Sequence, residues 1–250
     1  MAPGLPGIIE RVKPFVPTAV KQQVFKHVPL RYRHQLAPDW HRRTIRTGLG
    51  HWEYLGQLQF DYLVARGLQP HHDFLDVGCG PLRAGVLFIK YLDAGKYAGI
   101  DKRDDVLEVS RLVELRRAGV EDKAPALLAS ETFEFGKFGR TFDYAIAQSV
   151  FTHLSLNSIT RCLVEMGKVL NPGGRFYATI HLNPHGRHFV EDITQPTGLI
   201  SHYDRDFFHY DLESLHFACE GTGLTLTNEG EWGHPNNSKM LVFTREGTGG

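Results

Sequence analysis

The chain has 250 residues, of which 42% are hydrophobic and 22% charged, and its 28 Lys/Arg balance its 28 Asp/Glu. This is the composition of a globular protein, with length for one large domain or a domain plus an extension. A formal net charge of zero gives no whole-protein pull toward nucleic acid or a membrane.

The charge is unevenly spread. Residues 1–47 hold nine Lys/Arg and two acids, a net +7 against −7 for the remainder. Six prolines (Pro3, Pro6, Pro14, Pro17, Pro29, Pro38) interrupt this stretch, so long helices are excluded, although a short amphipathic piece fits Thr18–His27. Residues 1–47 are therefore read as a basic, Pro-rich extension, and 48–250 as the folded domain. The extension is expected to pack on the acidic body; its sharper reading is a lid or anchor for an anionic substrate or a membrane surface.

After Gly48 and Gly50 a helix is expected over Tyr54–Arg66, with Leu55, Leu58, Tyr62 and Leu63 on one face and Gly67 as its stop. Strand and helix then alternate. Phe74–Val77 is a strand, Ala84–Leu92 a helix, Tyr97–Ile100 a strand and Asp104–Arg117 a helix with acids first and arginines last. Strands are expected at Ala126–Ala129, Phe142–Gln148 and Arg175–Ile180. A helix is expected over Leu156–Leu170, stopped by Asn171-Pro-Gly-Gly. Residues 183–209 show no period. Asp211–Glu220 is a helix, and Leu224–Asn228 and Met240–Thr244 are closing strands. This alternation predicts an α/β, doubly wound sheet with helices on both faces. The last two strands lack an intervening helix and must pair antiparallel. The expected sheet has seven strands, with a reversed strand near one edge.

In such sheets ligands sit beyond the carboxyl ends of the strands. There the sequence places Phe74-Leu-Asp-Val-Gly-Cys-Gly80, whose glycines let the backbone approach a ligand and expose amides at a helix start. Asp101 ends the next strand and suits a ribose diol. Asp76 suits a cationic group. A dinucleotide site would require G-x-G-x-x-G, but Arg83 occupies the third glycine's place and Pro81 removes an amide donor. A nicotinamide-dependent oxidoreductase is thereby disfavoured.

The segments FLDVGCG, YAGID, FDYAIAQSVFTHL and LNPGGRFYATI together resemble the successive motifs of class I S-adenosylmethionine-dependent methyltransferases, over roughly residues 50–245. The resemblance implies a Rossmann-like fold and S-adenosylmethionine as cofactor. It implies that Gly78, Cys79 and Gly80 line the methionine moiety with Asp76 nearby, that Asp101 binds the ribose, and that Lys102 lies beside the adenine. It places Ser130 and Glu131 at the adenine edge, and Gln148 and Ser149 at the methionine end. Leu82 stands where that family carries a third glycine.

Methyl transfer is an in-line displacement whose rate depends on positioning, and an alcohol nucleophile gains from a base. His153 and His181 follow the fourth and fifth strands and are the candidate catalytic residues. His181, His185, His188 and His202, with Asp192 or Asp204, lack metal-ligand spacing, so no metal is expected. An acidic body, and Gln148-Ser-Val-Phe in place of an Asn/Asp-Pro-Pro-Tyr signature, point away from nucleic acid. A small acceptor is expected, most simply a hydroxyl of a sugar, glycolipid or natural product, facing the His-rich stretch 181–210 with Trp40, Trp52 and Trp232. The alternatives are an N- or carboxyl-methyltransferase, the latter through Arg175, Arg187 or Arg205, and a catalytically silent cofactor-binding protein. Cys79, Cys162 and Cys219 form no C-x-x-C pair, so free thiols and a cytoplasmic location are expected. No transmembrane run or secretory signal is seen.

Overall fold

The structure, a computed structural model, describes Val28 and residues 39–43, 51–186 and 189–247. The expected amphipathic piece at Thr18–His27 lies outside the described residues. The elements are α1 (Trp40–Arg43), α2 (Trp52–Ala65), β1 (Phe74–Val77), α3 (Gly85–Tyr91), β2 (Tyr97–Asp101), α4 (Asp104–Val109), α5 (Leu115–Ala118), β3 (Ala126–Ala129) and β4 (Phe142–Ala147). They continue with α6 (Leu156–Val169), β5 (Leu170–Leu182), β6 (Ile193–Thr194), β7 (Ile200–Ser201), β8 (His209–Tyr210), α7 (Leu212–Cys219), β9 (Leu224–Gly230) and β10 (Lys239–Arg245).

The main sheet runs β3-β2-β1-β4-β5-β10-β9, with β8 added beside the end of β5. Strands β1 to β5 are parallel. Strand β10 is antiparallel to both neighbours, so the reversed strand lies one place in from the edge, as the short β9–β10 connection requires. Alternation along the central strands assigns two cores. Leu75, Val77, Phe176, Ala178, Ile180, Leu241 and Phe243 face α6 and α7. Phe74, Tyr177, Met240 and Val242 face α2, α3 and the α4–α5 helix. Each such buried large side chain stabilises the fold by about 1.5–3 kcal/mol over its exposed state.

Two elements depart from their sequence reading. The helix expected over Asp104–Arg117 contains a π-helical turn at Ser110–Glu114. The turn leaves Glu114 buried, where Nε2 of His41 lies 2.5 Å away and Arg42 and Arg117 donate to its carboxylate. Burial pushes this carboxyl up, but the His41 and Arg42 hydrogen bonds and the arginine charges overcome that and hold it down to about 2. Strand β5 also begins earlier than expected. Phe142 pairs Leu170 but Tyr144 pairs Arg175, so Asn171–Gly174 loops out of the ladder between them, and the expected turn is made inside the strand. Among the described residues, no helix is long and apolar enough to cross a membrane, and all three cysteines are buried and unbridged.

Candidate active site

The chain leaves β1 through a turn in which Gly78 (φ +69°), Gly80 (φ +52°) and Leu82 (φ +61°) all adopt the left-handed conformation. For Gly78 this is obligatory, because a Cβ there would stand 2.5 Å from Cγ2 of Val150. Leu82 follows the glycine-like path at a cost of about 1–2 kcal/mol, offset by full burial of its side chain among Phe88, Tyr97 and their neighbours. The missing third glycine therefore leaves the backbone course of the loop intact.

The turn is tied to β2. The amides of Gly78 and Cys79 donate to the Ile100 carbonyl at 2.7 and 3.1 Å. The Gly80 amide donates to Oδ2 of Asp101 and the Arg103 amide to Oδ1, each at 2.9 Å. The Asp101 carboxylate is thus fixed at the strand end with acceptor capacity to spare.

Asp76 is buried beneath the turn and accepts a hydrogen bond from the Tyr97 hydroxyl at 2.8 Å. Gly85 makes the contact possible, since a Cβ there would lie 2.6 Å from that hydroxyl oxygen. Burial pushes the Asp76 carboxyl up to about 7; the Tyr97 hydrogen bond opposes the rise and the Asp101 charge adds to it. Arg83, half-buried, donates to Oε1 of Gln148, and desolvation lowers its pKa to about 10 against the pull of Asp76. The close approach of α2 to Arg83 depends on Gly56, where a Cβ would meet the Arg83 carbonyl at 2.8 Å. His234 stacks on Trp232 and accepts from the Asn236 amide through Nδ1 at 3.2 Å. Burial, then the charges of Arg83, His181 and His51, lower its pKa to about 4. It is therefore neutral, and its Nε2 lies 3.4 Å from Nε2 of Gln148.

These groups line a cavity of about 920 Å³ at the carboxyl end of the sheet. Of the residues singled out from sequence, Asp76, Gly78, Cys79, Gly80, Asp101, Gln148, Ser149 and His153 line it. Lys102 and Glu131 are exposed beside it. Ser130 lies behind Asp101, its amide donating to the Asp101 carbonyl and its hydroxyl to Glu134. His181 does not line the cavity. It is 4% exposed, and its buried Nδ1 has no hydrogen-bond partner among the described residues. Burial, then the neighbouring His209 and His153, lower its pKa to about 4.

His153 is differently placed. Its Nδ1 lies 2.6 Å from Oδ1 of Asp206, and its ring packs on Phe207 at 4.6 Å. All three residues line the cavity. The far wall is a junction of two loops: Thr197, at the tip of the β6–β7 hairpin, meets Asn236 of the β9–β10 loop at 2.5 Å. Sequence reasoning missed Asp206, Phe207, Thr197 and His51 as lining residues, because no local pattern links them to the strand ends. Arg83 had a signal, being the first charged residue after the glycine turn. Of the histidines weighed for a metal, His202 instead pairs with Asp192 at 2.6 Å, and no metal-holding group forms among the described residues.

A family model described as a methyltransferase domain matches residues 75–176, from β1 into β5. It spans the glycine turn, Asp101 and the end of β4. Over that span the chain is similar to methyltransferase domains. Its fold is shared with magnesium protoporphyrin IX methyltransferase from Synechocystis PCC 6803 with bound SAM, at a TM-score of 0.58 and 13% identity over 90% of this chain and 97% of that one. It is also similar to a putative O-methyltransferase from Nostoc punctiforme PCC 73102, at 0.56 and 15% over 78% of this chain and 60% of that one. A glycopeptide N-methyltransferase complexed with S-adenosyl-L-homocysteine matches at 0.56 and 13%, over 76% of this chain and 90% of that one. At these identities the likeness is one of fold.

Proposed function

We propose that the enzyme methylates a hydroxyl group of a small molecule, a sugar or natural-product scaffold, with His153 as the base. The observation that carries this reading is the His153–Asp206 pair at 2.6 Å on the cavity wall. A carboxylate on Nδ1 holds that nitrogen protonated and leaves Nε2 as the acceptor of a proton. When the hydroxyl oxygen gains the methyl group, its proton passes to Nε2, Asp206 stabilises the resulting imidazolium, and solvent then takes the proton. His181 is buried and held neutral. We assign it a supporting place behind His153 rather than the base.

The donor set fits the cofactor. S-adenosylmethionine supplies a sulfonium-bound methyl group and leaves as the thioether. In this reading Asp101 accepts from the ribose hydroxyls, and Gly78, Cys79 and Gly80 lie against the methionine chain. Asp76 faces the ammonium group, while Arg83 faces the carboxylate. Gln148 and Ser149 hold the methionine end; Ser149 is fixed there by its amide bond to the Thr179 hydroxyl at 2.7 Å. Lys102, Ser130 and Glu131 mark the adenine side. In the same reading residues 39–43 dock on the body, with Glu114 as the receptor for His41 and Arg42.

The test is turnover, followed as S-adenosylhomocysteine release, against a panel of hydroxylated acceptors. His153→Ala should lose about 10²–10⁴ in kcat, the usual worth of a positioned base, with S-adenosylhomocysteine affinity unchanged. Full activity in His153→Ala would remove the base. Turnover confined to amine or carboxylate acceptors would remove the O-methylation reading.

A further inference from the structure

A second cavity of about 380 Å³ lies beside the first, within the size range of small-molecule sites. The two share one wall, the 203–208 strap. Asp206 and Phe207 face the first cavity, and Tyr203, Asp204 and Phe208 face the second. The opposite sides are contiguous too, with His153 on the first and Ser155 on the second. The proposed base therefore sits at the partition between the cavities.

The lining of the second cavity is built. Phe208 and Tyr210 stack at 5.9 Å with 15° between their planes. The strap that carries them is pinned to the segment before α6: the Phe208 amide donates to the Thr152 carbonyl at 2.7 Å, and the Tyr210 hydroxyl donates to the Leu154 carbonyl at 2.7 Å. Phe189 and Tyr203 add two more aromatic faces. Asp211 is 5% exposed, and its two oxygens accept from the amide and hydroxyl of Ser214 at 2.7 and 3.0 Å, each keeping a further lone pair. Asp204 supplies a second carboxylate, at the rim, where its Oδ1 accepts from Arg205 at 3.0 Å and its Oδ2 is left for a ligand.

Two ligand chemistries compete for such a site. The starts of α6 and α7 both border it, through Ser155 and Asp211, and helix starts favour anions. Both are already capped, however, and two carboxylates with no Lys or Arg in the lining repel an anion. Aromatic faces with carboxylate acceptors instead match a ring that is apolar on its C–H faces and hydroxylated at its edge.

We propose that this cavity is a distal acceptor subsite for a neutral sugar ring, the neighbour of the unit methylated in the first cavity. The inference rests on the O-methylation reading and narrows its acceptor to a molecule carrying at least two linked units. The strap then measures the acceptor: the distal ring seats on Phe208 and Tyr210, and the reacting hydroxyl reaches His153 across Asp206 and Phe207.

The experiment is saturation-transfer NMR on the full chain saturated with S-adenosylhomocysteine, with methyl glycosides of glucose, galactose, mannose and rhamnose as probes. At least one glycoside should receive saturation. Tyr203→Ala and Asp204→Asn, both at the rim, should each weaken that binding about tenfold and leave S-adenosylhomocysteine affinity unchanged. Benzoate, an anionic ring of similar size, should not compete. Binding of none of the four, binding untouched by both substitutions, or preference for benzoate would each overturn the subsite. The two readings fail separately. Turnover that depends on His153 with no glycoside binding here removes the subsite alone. Glycoside binding here with turnover indifferent to His153 removes the base and keeps the subsite.

Discussion

The two ends of the large cavity are made in different ways. At the glycine turn the wall is mostly backbone: Gly78, Gly80 and Leu82 in the left-handed region, their amides committed to Ile100 and Asp101. At the far end the wall is side chains on loops, with His153 on Asp206 and Thr197 on Asn236. The first end is rigid by conformation and leaves little room for substitution. The second is held by partly exposed polar pairs, each worth little alone, and in the proposed reading is where acceptor preference can change without disturbing the cofactor end.

That contrast can be broken at several points. The largest effect is expected at the turn. Gly78→Ala carries both the left-handed penalty and the overlap with Val150, together about 3 kcal/mol. Chemical denaturation should show that loss, and calorimetry a loss of S-adenosylhomocysteine binding. A stable variant with normal affinity would mean the turn is not the fixed element described.

Asp101→Ala removes a charged acceptor, worth about 1.5–3 kcal/mol, or roughly 10–150-fold in S-adenosylhomocysteine affinity. Leu82→Gly relieves about 1–2 kcal/mol of backbone cost but forfeits about 2–5 kcal/mol of burial. Burial should win, and the variant should be less stable by about 2 kcal/mol; a more stable variant would show that the strain dominates.

At the acceptor end, Asp206→Asn should lower kcat about tenfold, since a neutral partner stabilises the imidazolium less, while cofactor affinity stays constant. An equal fall in both would mean that the two ends are coupled.

The last effect concerns pH. The buried Asp76 carboxyl is raised to about 7, so below that pH it holds a proton. A ligand ammonium favours the carboxylate, so binding expels that proton. Affinity for S-adenosylhomocysteine should therefore rise as pH increases toward about 7, by up to about tenfold per unit, and then level off. Asp76→Asn should flatten the profile; an unchanged profile would assign the proton elsewhere.

The legibility of the fold follows the same division. Phe74–Val77 and Ala126–Ala129 are strands at the residues expected, because short apolar runs bounded by Gly and polar residues leave few alternatives. The π-helical turn at Ser110–Glu114 was not legible, since it shifts one hydrogen-bond step without changing the apolar period. The β6–β7 hairpin was missed because two-residue strands show no alternation.

By itself the sequence determined the order of strands and helices, the reversed strand, and the glycine turn with its carboxylates at Asp76 and Asp101. Those features are local: each depends on residues within one strand–turn–helix step. Only the tertiary structure decided that Leu82 keeps a glycine-like backbone, that His153 rather than His181 lines the cavity, and that Asp206 is its partner. Those depend on which distant loops pack together and on how deeply each histidine is buried, and neither spacing nor composition encodes burial at the end of a strand.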